Sequence, residues 1–268
     1  VRRLASFGVA AGVTRAVYEG LRRSSGGQRS AGDPLSVGDL SPSGDLSSGG
    51  LASSGDPRWT RTNHAGRSVD LFAGPATALG AAVGSGSGPV AFALLAAAAC
   101  GAYDDVKGDH RRGFRAHLAA LRDGEVTSGA VKLLGIGAAS LAAGALLKDR
   151  PVDKVLAGVV IAGSAHLVNL VDVRPGRAGL AVLALGAPGL LRGSLAAAPM
   201  GAAAAVLGED LGERTMLGDT GAHALGAAVG GAIAAGNGRF GLVAHAAGLV
   251  AAAAWGEWDA ASRARSSG

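Results

Sequence analysis

The chain has 268 residues, 49% of them hydrophobic and only 17% charged, with a formal net charge of +5, 46 glycines and 4% aromatics. Alanine and glycine dominate the apolar share, which argues against a water-soluble core filled by large side chains. The one cysteine, Cys100, excludes an intrachain disulfide, and basic residues without interleaved aromatics point away from a nucleic-acid partner.

In chain order, residues 1–21 form a weak first apolar segment, interrupted by Arg15 and Glu19. It lacks a convincing small-residue cleavage site and is not read as a signal peptide. Residues 22–58 are a low-complexity stretch rich in Ser, Gly and Asp, with a recurring Gly-Asp unit at Gly32-Asp33, Gly38-Asp39, Gly44-Asp45 and Gly55-Asp56. So little apolar area cannot offset the entropy of ordering, so the expectation is a disordered insert. The copies are too few and too irregular for a Ca²⁺-binding solenoid.

Residues 59–256 read as a membrane domain, followed by a cytoplasmic tail at 257–268. No Asp, Glu, Lys or Arg occurs in 71–103, 133–147, 155–171, 220–238 or 240–256. A surface helix would carry a polar stripe, and these runs carry none. Spans are expected near 71–84, 89–103, 130–147, 154–171, 178–191, 194–208, 221–235 and 240–256. The predicted fold is all-α: a polytopic transmembrane helical bundle of about eight to nine spans.

If each run crosses once, the connections 59–70, 104–129, 172–177 and 209–220 share one face. That face carries most of the basic loop residues, among them Arg61, Arg67, Lys107, Arg122, Arg174 and Arg214. By the positive-inside rule it is cytoplasmic, which predicts a multi-pass protein of the cell membrane.

Polar clusters end the apolar runs on this same face. Asp104-Asp105 follows the longest of them. Acids are disfavoured at the negative end of a helix, and adjacent residues there point about 100° apart, so the pair can divide two tasks. Lys132 lies one turn inside the next run, placed either to snorkel to the interface or to bind a phosphate. His166, Asn169 and Asp172 recur at three-residue spacing along one helix face. A stripe of that kind is expensive in a membrane unless it lines a polar cavity, although interhelical hydrogen bonds would also explain it. In Gly218-Asp219-Thr220-Gly221 the glycines admit close backbone approach, and Asp219 or Thr220 also fits a plain N-cap. Asn63 sits in the basic stretch Arg61-Thr-Asn63-His64-Ala-Gly66-Arg67, which fits a juxtamembrane loop at anionic lipid. Together the clusters predict a membrane-embedded site for a divalent metal and a diphosphate.

In this order the motifs resemble the polyprenyl-phosphate N-acetylhexosamine-1-phosphate transferases, which include the phospho-N-acetylmuramoyl-pentapeptide translocases (glycosyltransferase family 4). The family's Asp-Asp pair is matched by Asp104-Asp105. Its Asn-Leu-x-Asp is matched by Asn169-Leu170-Val171-Asp172, and its Gly-Asp-x-Gly-Ser-x-x-Leu-Gly by Gly218 through Gly226 with Ala222 in place of Ser. Lys132 matches a lysine that follows the acidic loop. The resemblance covers about residues 59–256. It implies Mg²⁺-dependent transfer (Mn²⁺ as an alternative) of a sugar-1-phosphate from a UDP-sugar to a polyprenyl phosphate, with release of UMP.

By the same resemblance Asp172 and Asp219 would hold the metal on the diphosphate. Asp104 or Asp105 would deprotonate or position the lipid phosphate, and Asn169 and Lys132 would contact the uridine diphosphate. His166, Arg174 and Asn63 complete the expected substrate-binding set. The chain also departs from the pattern. Val173-Arg174-Pro175-Gly176 replaces Gly-x-Asp-Gly, His166 replaces an Asn, and no His-rich loop follows the last motif. The alternative expectation is therefore a catalytically inactive relative, a cell-envelope scaffold that binds envelope proteins or its own copies. A transporter using intramembrane acids is the third, with no inverted repeat to support it.

Overall fold

The computed structural model describes residues 1–27, 57–108 and 114–266. Most of the expected insert, 28–56, and Arg111 and Arg112 lie outside them. Among the described residues the chain is helical apart from one hairpin: α1 (Arg2–Gly27), β1 (Thr60–Thr62), β2 (Ser68–Asp70), α2 (Ala73–Ser85), α3 (Gly88–Lys107), α4 (Phe114–Arg122), α5 (Ser128–Leu147), α6 (Pro151–Val171), α7 (Arg177–Gly186), α8 (Ala197–Leu211), α9 (Gly218–Gly236) and α10 (Arg239–Ser266). The start and stop signals are local. Pro89 and Pro151 stand in the first turns of α3 and α6, the Thr127 side chain accepts from Ala130 N to cap α5, and left-handed Gly86 ends α2.

Among the described residues four helices are long and apolar enough to cross a membrane: Gly88–Lys107, Ser128–Leu147, Pro151–Val171 and Arg239–Asp259. This is fewer than the eight or nine spans expected. With 13 residues in α2, 10 in α7 and 15 in α8, these helices fall short of the ~20 residues a straight span needs. Helix α9 has 19 residues, but its glycines, Asp219 and His223 lower its hydropathy. It can be that polar because its central residues, Thr220 through Gly231, are all buried among other helices.

The bundle is packed by small residues inside and dressed by large ones outside. Val83, Phe92, Leu134, Leu146, Val155 and Val250 are exposed, while alanines line the core. In water that arrangement would be unstable, whereas hydrocarbon accepts it and small residues let backbones touch. Gly226 and Gly230 of α9 meet the α6 backbone at Ser164 and Ile161, where an added Cβ would stand 2.5 Å from Ser164 O and 2.8 Å from Ile161 Cα. Gly101 of α3 lies against the backbone of Asp219, and Gly74 of α2 against that of Leu217.

The first helix is a full member of this packing. Ala10, Thr14 and Tyr18 form a fully buried stripe at four-residue spacing. Gly80 and Gly84 on α2 receive Thr14 and Ala10, and Ser6 Oγ donates to Gly84 O at 2.5 Å. Helix α1 continues past residue 21 to Gly27, and α10 continues past residue 256 to Ser266, so neither sequence-read boundary coincides with a helix end.

Candidate functional site

The four sequence clusters meet at one end of the bundle. That end gathers the C-termini of α3 and α6 and the N-termini of α5 and α9, and α3, α5 and α9 are joined there by specific contacts. Asp105 on α3 reaches the start of α9, Asp104 on α3 reaches Lys132 on α5, and Lys132 reaches Asp219 on α9. Asp210, at the end of α8, accepts from Gly176 N, just before α7, at 3.0 Å.

The two adjacent aspartates do divide their tasks. Asp105 accepts from Asp219 N at 3.0 Å, from Thr220 N at 2.9 Å and from the Thr220 hydroxyl at 2.6 Å. It therefore satisfies the orphan donors of the first turn of α9 and sits at the positive end of that helix. Gly218, at φ 59°, and Gly101 make room for this approach. Asp104 turns the other way. Its Oδ2 lies 2.5 Å from Lys132 Nζ, the Ser128 hydroxyl also bonds it, and it lies within hydrogen-bonding reach of Asp219. Lys132 closes the group by pairing with Asp219 Oδ2 as well. The side chains of Lys132, Asp104 and Asp219 keep 18%, 19% and 25% of their exposure, so the group is sheltered but reachable from solvent.

His223, one turn beyond Asp219, is buried, and its Nδ1 lies 2.8 Å from Asp219 O. The sequence motif contained it without assigning it a task, although its i+4 spacing from Asp219 was the available signal. His166 is an exposed residue of α6 that interacts electrostatically with Lys132 and with Glu257 of α10. Asn169 is half-buried, and its carbonyl accepts from Asp172 N at 3.2 Å.

Asp172 opens a second, adjoining space. A small cleft of about 50 Å³, open to solvent, is lined by Asn63, His64, Asp172, Val173, Arg174, Pro175, Asp210, Glu213, Thr215 and Met216. One side of it is the turn of the hairpin β1–β2. Asn63 is buried, with Oδ1 accepting from Ala65 N and Arg67 N at 2.9 Å and Nδ2 donating to Glu213 Oε2 at 2.7 Å. That side chain is thus committed to shaping the hairpin loop and fastening it to the segment before α9. Thr215 repeats the fastening by donating to Asp70 Oδ1 at 2.5 Å. Arg174 is exposed at the rim. Asp210, Glu213 and Thr215 were not singled out from the sequence. The pair Glu209-Asp210 ends an apolar run just as Asp104-Asp105 does, and that signal was there to be read.

Burial and the nearby carboxylates of Asp210, Asp219 and Asp105 push Asp172 up to about 7, far above the ordinary ~3.9 of an aspartate. Burial also raises Asp70. A carboxyl whose pKa is raised by folding binds a proton more tightly in the folded state. Its contribution to stability is therefore greatest below pH ~4 and is lost as pH rises through about 7. In metal-free buffer, Asp172→Asn should raise the melting temperature more at pH 8 than at pH 5. An equal shift at both pH values would refute this.

Among the described residues no group of three or more His, Cys, Asp or Glu side chains is arranged to hold a metal ion by itself. Two carboxylates, Asp104 and Asp219, do share a single cation, the Lys132 ammonium. No protein-family model, no curated protein and no solved structure matches this chain.

Proposed function

We propose that this protein transfers a sugar-1-phosphate from a UDP-sugar to a polyprenyl phosphate in cell-envelope glycan synthesis. The observation that carries the reading is the junction of Asp104, Lys132 and Asp219, brought together from three helices at the end of the bundle where Asp172 also lies. The motif resemblance adds the reaction. A lipid-phosphate oxygen attacks the β-phosphorus of the UDP-sugar, the bond from that phosphorus to the bridging oxygen breaks, and UMP leaves with the electron pair.

Two anions must approach each other in this reaction, so positive charge at the site sets the rate. Mg²⁺ favours one or two carboxylates with phosphate oxygens and water completing its shell. Asp219 and Asp172 suit such a shared site, which needs no third protein acid, and the bound ion would supply charge neutralisation at the diphosphate. Lys132 contributes a second positive charge, and Asp104, paired with it, would deprotonate or position the lipid phosphate. Arg174 and His64 border the cleft beside Asp172, and Asn169 stands near the end of α6 just before it. We further infer that α1, α2 and α7 to α9 cross together with the four long helices, to give about eight or nine crossings. The basic connections then place this end at the cytoplasmic face.

Incubating membranes that carry the protein with undecaprenyl phosphate, Mg²⁺ and a panel of UDP-sugars should release UMP. Asp219→Asn should reduce that release by about 10²–10³-fold, the usual loss when a transition-state charge partner is removed. A second reading, a non-catalytic scaffold of the same fold, is favoured by Pro175 standing where the family carries an acid. UMP release no greater than from membranes without the protein, across every donor tried, would decide for the scaffold.

A further inference from the structure

We infer that Asp105 is a positioning residue, which sets where Asp219 stands by capping α9, and that it takes no part in proton transfer. This rests on the proposed function and divides the labour within that site. The sequence leaves open which of Asp104 and Asp105 takes which task, and the geometry separates them. Both Asp105 oxygens face the first turn of α9: Oδ1 takes Asp219 N at 3.0 Å, and Oδ2 takes Thr220 N at 2.9 Å and the Thr220 hydroxyl at 2.6 Å. Both oxygens are thus engaged by donors of the first turn of α9.

The same bonds fix the register of α9 against α3. Gly101, one helical turn before Asp105, lies directly on the Asp219 carbonyl, and the Gly218 Cα faces the Asp105 carboxylate. Asp219 is thereby held at its own amide, one bond from its Cα, and its side chain is aimed at Lys132 and Asp104. Asp105 thus acts through Asp219, and Asp104 alone of the pair faces the space shared with Lys132.

The test uses the full-length protein in detergent, with Mn²⁺ as the probe read by electron paramagnetic resonance and UMP release as the second readout. Asp105→Asn keeps the shape of the cap but loses acceptor capacity. Thr220→Val removes one of its bonds and leaves the Asp105 carboxylate intact. Both should weaken Mn²⁺ binding, Asp105→Asn by about 10-fold or more as for other residues that orient a metal's ligands, and Thr220→Val by less. In both, UMP release should recover as Mn²⁺ is raised to saturation, because the reacting groups are still present. Asp104→Asn should not recover at any Mn²⁺ concentration.

Unchanged Mn²⁺ affinity in Asp105→Asn, together with lost UMP release that saturating Mn²⁺ cannot restore, would overturn the positioning role and leave the transferase reading in place. A wild-type protein that neither binds Mn²⁺ nor releases UMP overturns the transferase reading itself. In Asp105→Asn, amide exchange that quickens at Asp219 and Thr220 while the rest of α9 keeps its protection shows a folded variant that has lost only the cap.

Discussion

Replacing Lys132 with Met is expected to destabilise the protein by about 3 kcal/mol, the lower end of the range for removing one partner of a buried ion pair. The methionine fills much of the same volume, so the loss is electrostatic. Without the ammonium, the carboxylates of Asp104 and Asp219 face each other with no counter-charge between them. At the ~2–4 °C per kcal/mol typical of a chain this size, the melting temperature in detergent should fall by roughly 6–12 °C. Adding Asp104→Asn to the same protein should recover part of the loss, because one of the two repelling charges is then gone. Additive losses in the double variant would show that Lys132 and Asp104 are not coupled, and the junction at the heart of the site would not exist in solution.

Gly226→Val should be at least as damaging, for a different reason. Two opposing effects meet at this position. Any residue with a Cβ gains up to ~1 kcal/mol over glycine in a helix interior, less for a β-branched one. Against that, a Cβ here would stand 2.5 Å from Ser164 O and 2.7 Å from Ala165 Cα, and backbone atoms cannot move aside as a flexible side chain can. Overpacking costs about 1–3 kcal/mol even where side chains can yield, so the steric term wins and α6 must part from α9. The expected result is a protein that is poorly folded or polydisperse on size-exclusion chromatography. Gly137 is the control, since nothing lies within 4 Å of the position its Cβ would take. Gly137→Ala should therefore hold or slightly raise the melting temperature. If both substitutions behave alike, the close approach of α6 and α9 is wrong.

Some of the fold could be read directly from the chain and some could not. The helical class and the four long apolar helices follow from charge-free runs, a signal that depends only on composition and length. Counting alternate runs leads to the expectation that Asp104, Lys132, Asp172 and Asp219 share one end, and the structure brings them together there. What composition could not supply was the setting of each helix. Helix α9 is glycine- and alanine-rich because it is enclosed by protein, and hydropathy measures exposure to lipid, which α9 does not have. The weak first segment misled in the opposite direction. Arg15 and Glu19 interrupt its apolar pattern, yet they pair with each other at 2.7 Å on one face while Ala10, Thr14 and Tyr18 are buried on another.

Within the site, residue identity was legible and residue task was not. Asp105 and Asp104 are indistinguishable as letters, and only the position of α9 tells which of them meets a helix terminus. Asn63 looked like part of a basic loop able to contact a ligand, but its amide is occupied by the hairpin turn and by Glu213. Asp210 and Thr215 escaped notice because their partners, Gly176 and Asp70, lie 34 and 145 residues away in the chain.

The inverted packing, small residues inside and large ones outside, also governs how this sequence can drift over evolutionary time. Outward positions such as Phe92, Leu134 and Val155 need only remain apolar, so any of the large aliphatic or aromatic residues can replace them. Inward positions such as Gly74, Gly101, Gly226 and Gly230 admit almost nothing larger than themselves. Distant descendants of this chain should therefore share a rhythm of tiny residues and a handful of acids, while the bulky apolar letters, which weigh most in an ordinary sequence comparison, are free to change.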